Sequence, residues 1–201
     1  DLQLKGIIDF SVPSGGSNGK AVHVYALSDI ADLSIYGFGL ANNGEGSDGQ
    51  EYTFDQISVN AGDHILVARN VAAISDYFTP SGIALFNHVL AGNNSISQNG
   101  NDAVELFKNN VVVETFGEIN FTGGSTYYGM DWVYTDAWAY KMDDQWTYGE
   151  VDCTDGTETT FDSTCVYPLM SQLGLNDNSP NSFSIYPVSY THLRAHETSQ
   201  H

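Results

Sequence analysis

Carboxylate side chains are the residues of this chain whose types and spacing come nearest to a binding site. The polar, glycine-rich segment 42–51 carries Glu45, Asp48 and Glu51. Three carboxylates on a flexible backbone can supply the oxygen ligands that calcium prefers, although the full EF-hand register is missing. Plain turn structure is the favoured interpretation of this loop and calcium binding is the alternative, so no cofactor is expected. The segment 152–156 is a second, weaker candidate for calcium.

Catalytic motifs of the common hydrolases do not occur in the sequence, which has no Gly-x-Ser-x-Gly, no His-Glu-x-x-His and no phosphate-binding glycine loop. The histidines His23, His64 and His88 are isolated along the chain, as surface or satisfied core histidines usually are. Glu105 and Glu114 flank a predicted turn and could form a carboxylate pair that acts on sugars. Solvent-facing strand positions are the favoured explanation for both glutamates, so we expect no catalytic residues and no enzymatic activity.

The two cysteines, Cys153 and Cys165, are twelve positions apart in a segment rich in Thr and Asp. No histidine lies nearby, so a zinc site would have at most two ligands there. We predict a disulfide, which would stabilise the fold by about 3 kcal/mol on the chain-entropy model. A disulfide implies an oxidising compartment. The alternative is a pair of unrelated free thiols.

Aromatic residues cluster between positions 127 and 148 and allow two interpretations. Tyr127, Tyr128, Trp132 and Tyr134, together with Trp138, could form a platform on which a carbohydrate ligand stacks. Aromatic side chains of a β-sandwich also commonly pack in its core. The sequence leaves both the ligand face and the core interpretation open.

The charge balance excludes one class of partner. Six Lys and Arg against 25 Asp and Glu give a formal charge of −19, and binding to a phosphate backbone depends on cationic side chains. Direct nucleic-acid binding is therefore not expected. An acidic surface fits either solubility outside the cell or binding of divalent cations. No run of about 18 apolar residues occurs, so we expect no membrane span.

Short apolar runs separated by Gly, Asn and Asp turns predict an all-β fold, an antiparallel β-sandwich over residues 1–170. Within the second strand, Val22, Val24 and Ala26 should share one face and His23 the other. One short helix is expected at 71–77. The predicted strands are 2–10, 21–27, 35–41, 52–54, 64–68, 103–107, 111–116 and 137–141, with 83–90 as a strand or a loop.

Two local signals qualify this pattern. Asn109 and Asn110 tolerate the positive φ of a tight turn, so 103–107 and 111–116 should form a hairpin. Gly37 and Gly39 weaken the third strand and mark a bulge or the close approach of another backbone.

Several blocks taken together resemble the lamin-tail domain family in its bacterial, extracellular form. The blocks are NGKAVHVY (18–25) with IADLSIYG (30–37), NAGD (60–63), the hairpin NGNDAVELF (99–107) to VETFGE (113–118), WAYK (138–141) and QWTY (145–148). The resemblance covers about residues 2–168 and implies an immunoglobulin-like β-sandwich without an active site of its own. In secreted bacterial proteins such domains are appended to nucleases, phosphatases and other surface hydrolases, or occur in adhesive proteins. His23 stands where the family usually has a glutamate.

The C-terminal segment changes character twice. Residues 171–182 are polar and are interpreted as a linker. Residues 183–187, FSIYP, resemble the start of the type IX secretion C-terminal sorting domain, but Val188 and Ser189 replace the Asn-Pro that would follow. Residues 188–201 resemble translated sequencing-adapter read-through, and the alternative is a genuine disordered tail. The chain begins at Asp1 without an initiator Met, as after signal removal or in a fragment.

These features predict a non-catalytic interaction or accessory module of a secreted or cell-surface bacterial protein. The first alternative is the appended domain of a secreted nuclease or phosphatase whose catalytic part lies elsewhere. The second is a carbohydrate-binding module. The expected partner is a protein or a glycan at the cell surface.

Overall fold

The computed structural model describes residues 1–12, 15–121 and 130–173. Its strands are β1 (Leu2–Phe10), β2 (Gly19–Ala26), β3 (Tyr36–Ala41), β4 (Tyr52–Thr53), β5 (His64–Ala68), β6 (His88–Ala91), β7 (Ala103–Lys108), β8 (Val111–Phe116), β9 (Ala137–Met142) and β10 (Gln145–Tyr148). They form a six-stranded sheet in the order β10-β9-β1-β2-β5-β6 and a four-stranded sheet in the order β4-β3-β7-β8. The fold is therefore an all-β, immunoglobulin-like sandwich. Its strands pair antiparallel except for β5 and β6, which are parallel.

The space between the two sheets, here called the sandwich interior, is filled by apolar side chains. The predicted alternation of β2 is confirmed, since Val22, Val24 and Ala26 are all completely buried there. Phe38 and Leu106 face them from the four-stranded sheet and are also completely buried. Burial of apolar surface between the sheets is the main stabilising contribution to a fold of this kind.

A bulge in β1 changes which residues face the sandwich interior. The pairing with β2 shifts between Leu4 and Gly6, so Leu4 and Ile7 both point inward while Ile8 points outward. A bulge leaves a ladder amide without its strand partner. Here the Leu4 N–H donates to Glu114 Oε2 of β8 at 2.8 Å, which satisfies that amide and links the two sheets.

The outer face of the six-stranded sheet is covered by a third layer, which the strand pattern did not predict. The layer consists of helix α1 (Val71–Ile83) and of residues 160–173, which we call the C-terminal strap. Helix α1 is longer than expected and is interrupted at Thr79, which has a φ of +64°. Thr79 precedes Pro80, and a residue before proline avoids helical geometry. Phe10 of β1 packs between α1 and the strap, with its ring centroid 6.2 Å from that of Tyr167.

Both local signals of the sequence are confirmed. Asn109 and Asn110 have φ values of +51° and +62°, so the β7–β8 hairpin closes through a turn that needs left-handed backbone. Gly37 and Gly39 mark the close approach of another segment. A Cβ atom at Gly39 would lie 2.0 Å from the Gly49 carbonyl oxygen, so only glycine fits there.

The predicted disulfide is present. Cys153 and Cys165 are bonded, with their Cα atoms 5.9 Å apart, and no free cysteine remains. The bond joins the loop after β10 to the C-terminal strap, and Trp138 Nε1 donates to the Cys165 carbonyl at 2.7 Å beside it.

Within the described residues, no helix is long and apolar enough to cross a membrane. The predictions for residues 174–201, which cover most of the linker, the sorting motif and the tail, concern residues outside the described part of the chain. Residues 171–173, expected to begin the linker, instead belong to a 3₁₀ segment, Pro168–Leu173.

Candidate functional site

The acidic loop singled out first does not bring its carboxylates together. Glu45, Asp48 and Glu51 are all exposed, and they do not form a group of converging ligand atoms among the described residues. Glu51 Oε2 instead accepts a hydrogen bond from the Leu40 backbone N–H at 2.8 Å. That bond holds the loop against β3, so one of the three carboxylates is already occupied by a structural contact.

The second acidic loop gains a partner that the sequence did not suggest. One carboxylate oxygen each from Asp136, Asp152 and Asp155 lie within 4.8 Å of one another. Two backbone contacts bring the segments together: Asp152 N–H donates to the Thr135 carbonyl at 3.0 Å, and Thr154 N–H donates to the Asp136 carbonyl at 3.1 Å. We call these three residues the acidic trio.

The three carboxylates of the acidic trio repel one another when all are ionised. The pKa of Asp136 is raised, first by burial and then by the negative charges of Asp155 and Asp152, while Lys20 opposes the rise. One oxygen from each residue could serve a divalent cation such as calcium. Exposed carboxylates also adopt such arrangements without an ion.

A buried ion pair lies in the sandwich interior beside the acidic trio. Lys20 Nζ is 2.5 Å from Asp9 Oδ1, and the two side chains are only 8% and 5% exposed. Lys20 Nζ also donates to the Gln98 carbonyl, and the Asp136 backbone N–H donates to the Asp9 carboxylate. Burial raises the pKa of Asp9 to about 6, although the Lys20 ammonium acts in the opposite direction. The structure thus places a lysine amine and a carboxyl group in contact and shields them from water.

The loop 98–102 covers this ion pair and is held by its own buried polar groups. Gln98 Nε2 donates to the Ile8 and Ala21 carbonyls, each at 3.0 Å. Asp102 accepts from backbone N–H groups on either side of it in space, and Tyr134 Oη donates to the Asp102 carbonyl at 2.7 Å. Burial is the main cause that raises the pKa of Asp102.

The histidines that are isolated in the sequence are not isolated in the fold. His23 Nδ1 is 2.9 Å from Tyr167 Oη, and His23 Nε2 is 2.8 Å from His64 Nδ1. His23 is completely buried, and burial, followed by the charges of His64 and Lys5, lowers its pKa well below the usual range. Burial also lowers the pKa of His64. The expected role as a satisfied core residue is correct for His23, but it is satisfied by another histidine.

Two of the aromatic candidates are placed in the core. Tyr134 is completely buried and Trp138 is 7% exposed, so neither can stack on a ligand at the surface. Trp132 is half-buried, with its ring centroid 5.8 Å from that of Phe121. Tyr127 and Tyr128 lie outside the described residues. A ligand face around Trp132 remains a prediction, without Tyr134.

Glu105 and Glu114 do not form the carboxylate pair that their positions in the sequence allowed. Glu105 is cross-strand partner to Thr115, while Glu114 is partner to Leu106, so the two carboxylates project to opposite faces. Glu105 is also not solvent-facing, at 4% exposure. Glu114 bonds Lys141 and the Leu4 N–H, which explains it as a link between the sheets.

The buried ion pair was missed by sequence reasoning, although a signal for it existed. Asp9 and Lys20 occupy inward positions of strands whose other inward residues, such as Ile7 and Val22, are apolar. A charged residue within an apolar alternation indicates a buried partner of opposite charge. Asp136 carried no comparable signal.

No family model matches this chain, and no curated protein matches it. The resemblance to the lamin-tail family therefore depends on the sequence blocks alone.

Proposed function

We propose that this domain is a non-catalytic interaction or accessory module of lamin-tail type, carried by a secreted or cell-surface bacterial protein. The disulfide between Cys153 and Cys165 is the observation that carries the proposal, because such bonds persist in oxidising compartments. The two-sheet sandwich with a filled interior also supports it. A partner would bind to the outer surface of the module, since apolar side chains fill the sandwich interior.

The β7–β8 hairpin is the surface that best fits a protein partner. Val111, Val112 and Val113 of edge strand β8 are 64%, 41% and 50% exposed. Contiguous exposed apolar side chains typically mark protein contacts. Pairing with β7 shifts beside Val113, and such a bulge discourages addition of another strand to the edge. We infer contact through the valine side chains with an uncharged or basic protein surface, since this chain carries a formal charge of −19.

A turnover assay tests the non-catalytic part of the proposal. The purified chain is incubated with plasmid DNA and with p-nitrophenyl phosphate, in each case with and without calcium or magnesium. We expect no turnover of either substrate. Metal-dependent turnover that is lost in the Asp136→Asn variant would contradict the proposal and favour an enzyme centred on the acidic trio.

A binding assay tests the interaction part. Labelled protein is titrated onto envelope vesicles from a bacterium with type IX secretion, before and after treatment of the vesicles with protease. Saturable, protease-sensitive binding that Val112→Lys weakens at least tenfold supports the proposal. Val151→Lys is the matched control, because Val151 is 47% exposed and lies outside the hairpin. Binding that resists protease but is lost on periodate treatment and in Trp132→Ala would support the carbohydrate-binding alternative instead.

A further inference from the structure

The Lys20–Asp9 pair is closer and more deeply buried than an ion pair at a protein surface needs to be. The two residues are direct cross-strand partners on β1 and β2, and both side chains point into the sandwich interior. The Lys20 amine is 2.5 Å from a carboxylate oxygen of Asp9. A nucleophilic nitrogen and an electrophilic carboxyl group are thus in contact at a site that water hardly reaches.

Two further contacts orient the pair. The Gln98 carbonyl accepts a hydrogen bond from Lys20 Nζ, which limits the positions that the amine can adopt. The Asp136 backbone N–H donates to the Asp9 carboxylate. A backbone N–H at that position can stabilise negative charge on the carboxyl oxygen when the carbon becomes tetrahedral. Fixed orientation of two reacting groups is itself a large part of the acceleration of such reactions.

Proton transfer within the buried pair gives the reactive protonation states. Two charges are costly to keep in a poorly solvated interior, and proton transfer from the ammonium to the carboxylate removes both. The transfer produces a neutral amine, which is the nucleophilic form of lysine, and a neutral carboxylic acid. Both groups stay within contact distance during the exchange, because β1 and β2 hold them in register.

We propose that Lys20 and Asp9 join in an intramolecular isopeptide bond. Lys20 Nζ attacks Asp9 Cγ, the Nζ–Cγ bond forms, and one Cγ–O bond breaks. Two of the three ammonium protons leave with that oxygen as one molecule of water, and the third stays on the amide nitrogen. The step is redox-neutral and needs no co-reactant, since an ammonium and a carboxylate equal an amide and water. The bond links β1 to β2 and is not cleaved by reductants.

The mass of the protein tests this directly. The full chain, reduced and denatured, is predicted to weigh one water less than its sequence. Trypsin sharpens the result, because Lys5, Lys20 and Arg69 are the first three cleavage sites of the chain. A linked chain cannot be cut after Lys20 and yields the single peptide 6–69, lighter by one water. Peptides 6–20 and 21–69 at their full sequence masses would overturn the proposal.

Variants separate the isopeptide bond from other losses of water. Lys20→Arg keeps the positive charge and the tryptic site but should restore the full mass and cleavage at residue 20. Asp9→Asn should still give the linked peptide, with loss of ammonia in place of water. Loss of water within peptide 6–20 while trypsin still cuts after Lys20 would indicate an aspartate succinimide and would also overturn the proposal. The mass of the wild-type chain decides the question even if a variant fails to fold.

Discussion

Strand β2 separates two buried polar clusters that solve the same physical problem in different ways. On the inward face, Lys20 meets Asp9, and opposite charges compensate each other. On the outward face, His23 is bonded to His64 and to Tyr167, and these groups are satisfied as neutral hydrogen-bond partners. An unpaired polar group would be costly on either face. Charge pairing and neutral hydrogen bonding both offset the cost of burying polar groups, and this domain uses one on each face of β2.

The two clusters respond to acid in opposite directions. The pKa of His23 is lowered from 6.5 in the fold, so the unfolded chain takes up the proton more readily, and stability falls as the pH drops below 6.5. The pKa of Asp9 is raised from 3.8 to about 6, so the folded chain holds that proton more tightly. In a chain whose Lys20 and Asp9 are not joined, Asp9 therefore removes stability as the pH rises from 3.8 towards 6. The difference teaches that burial alone does not set the sign of a pH effect; the type of group does.

The largest effect is expected from breaking the charged cluster on one side only. Asp9→Ala leaves the Lys20 ammonium buried without its carboxylate, and we expect the free energy of unfolding to fall by about 3–5 kcal/mol. Urea denaturation followed by tryptophan fluorescence measures it. Asp76→Ala, at an exposed helix position, is the control and should cost less than about 1 kcal/mol. Equal losses in the two variants would show that the buried pair has no special weight.

The neutral cluster can be broken by crowding it. A Cβ atom at Gly6 would lie 1.9 Å from Tyr167 Oη, so Gly6→Ala should destabilise the fold by about 1–3 kcal/mol. Removing the hydroxyl with Tyr167→Phe should recover part of that loss, because it removes the closest clash. A double-mutant cycle by chemical denaturation measures the coupling. Strict additivity of the two substitutions would mean that Gly6 does not confine Tyr167.

Acid should weaken the histidine cluster. Between pH 7 and pH 5 we expect stability to fall by up to about 1.4 kcal/mol per pH unit for each proton that the unfolded chain binds in excess. His23→Gln should flatten this dependence in chemical denaturation measured over that range. His88→Gln is the matched control, because His88 lies near Asp63 and outside the cluster. A slope that His23→Gln leaves unchanged would assign the pH dependence to other groups.

The smallest effect is expected in the acidic trio, where three carboxylates approach one another. Asp152→Asn removes one charge and keeps a residue that tolerates the φ of +62° at this position. We expect a gain of about 0.5 kcal/mol at pH 7 in the presence of a chelator, and none at a pH low enough to protonate the carboxylates. Thermal melting measures it. With calcium present, a bound cation would reverse the sign of the effect.

Much of the fold follows from local pattern. The strands at Leu2–Phe10 and His64–Ala68 begin and end where alternation and turn residues predict. The hairpin turn at Asn109 and Asn110 and the close approach at Gly39 are equally local, since each depends on the backbone freedom of one or two residues. By contrast, the sequence around Leu4 does not predict the bulge, because the bulge is a shift in the pairing of β1 with β2.

The candidate site was less predictable for the same reason. Asp152 and Asp155 share one loop, but Asp136 joins them only because their loop folds back on the turn before β9. His23 and Tyr167 are 144 positions apart in the chain. Tyr167 belongs to the C-terminal strap, and the strand pattern did not predict that this strap covers the outer face of the six-stranded sheet.

The sequence by itself determined the all-β class, most strand positions, the inward face of β2 and the pairing of Cys153 with Cys165. Strand positions and the inward face of β2 follow from periodicity and turn residues within short segments. The disulfide follows because the chain has only two cysteines. Only the tertiary structure decided which buried polar group meets which partner. Such partners are set by sheet order, register and the covering layer, and a shift of one residue in register turns a side chain to the other face.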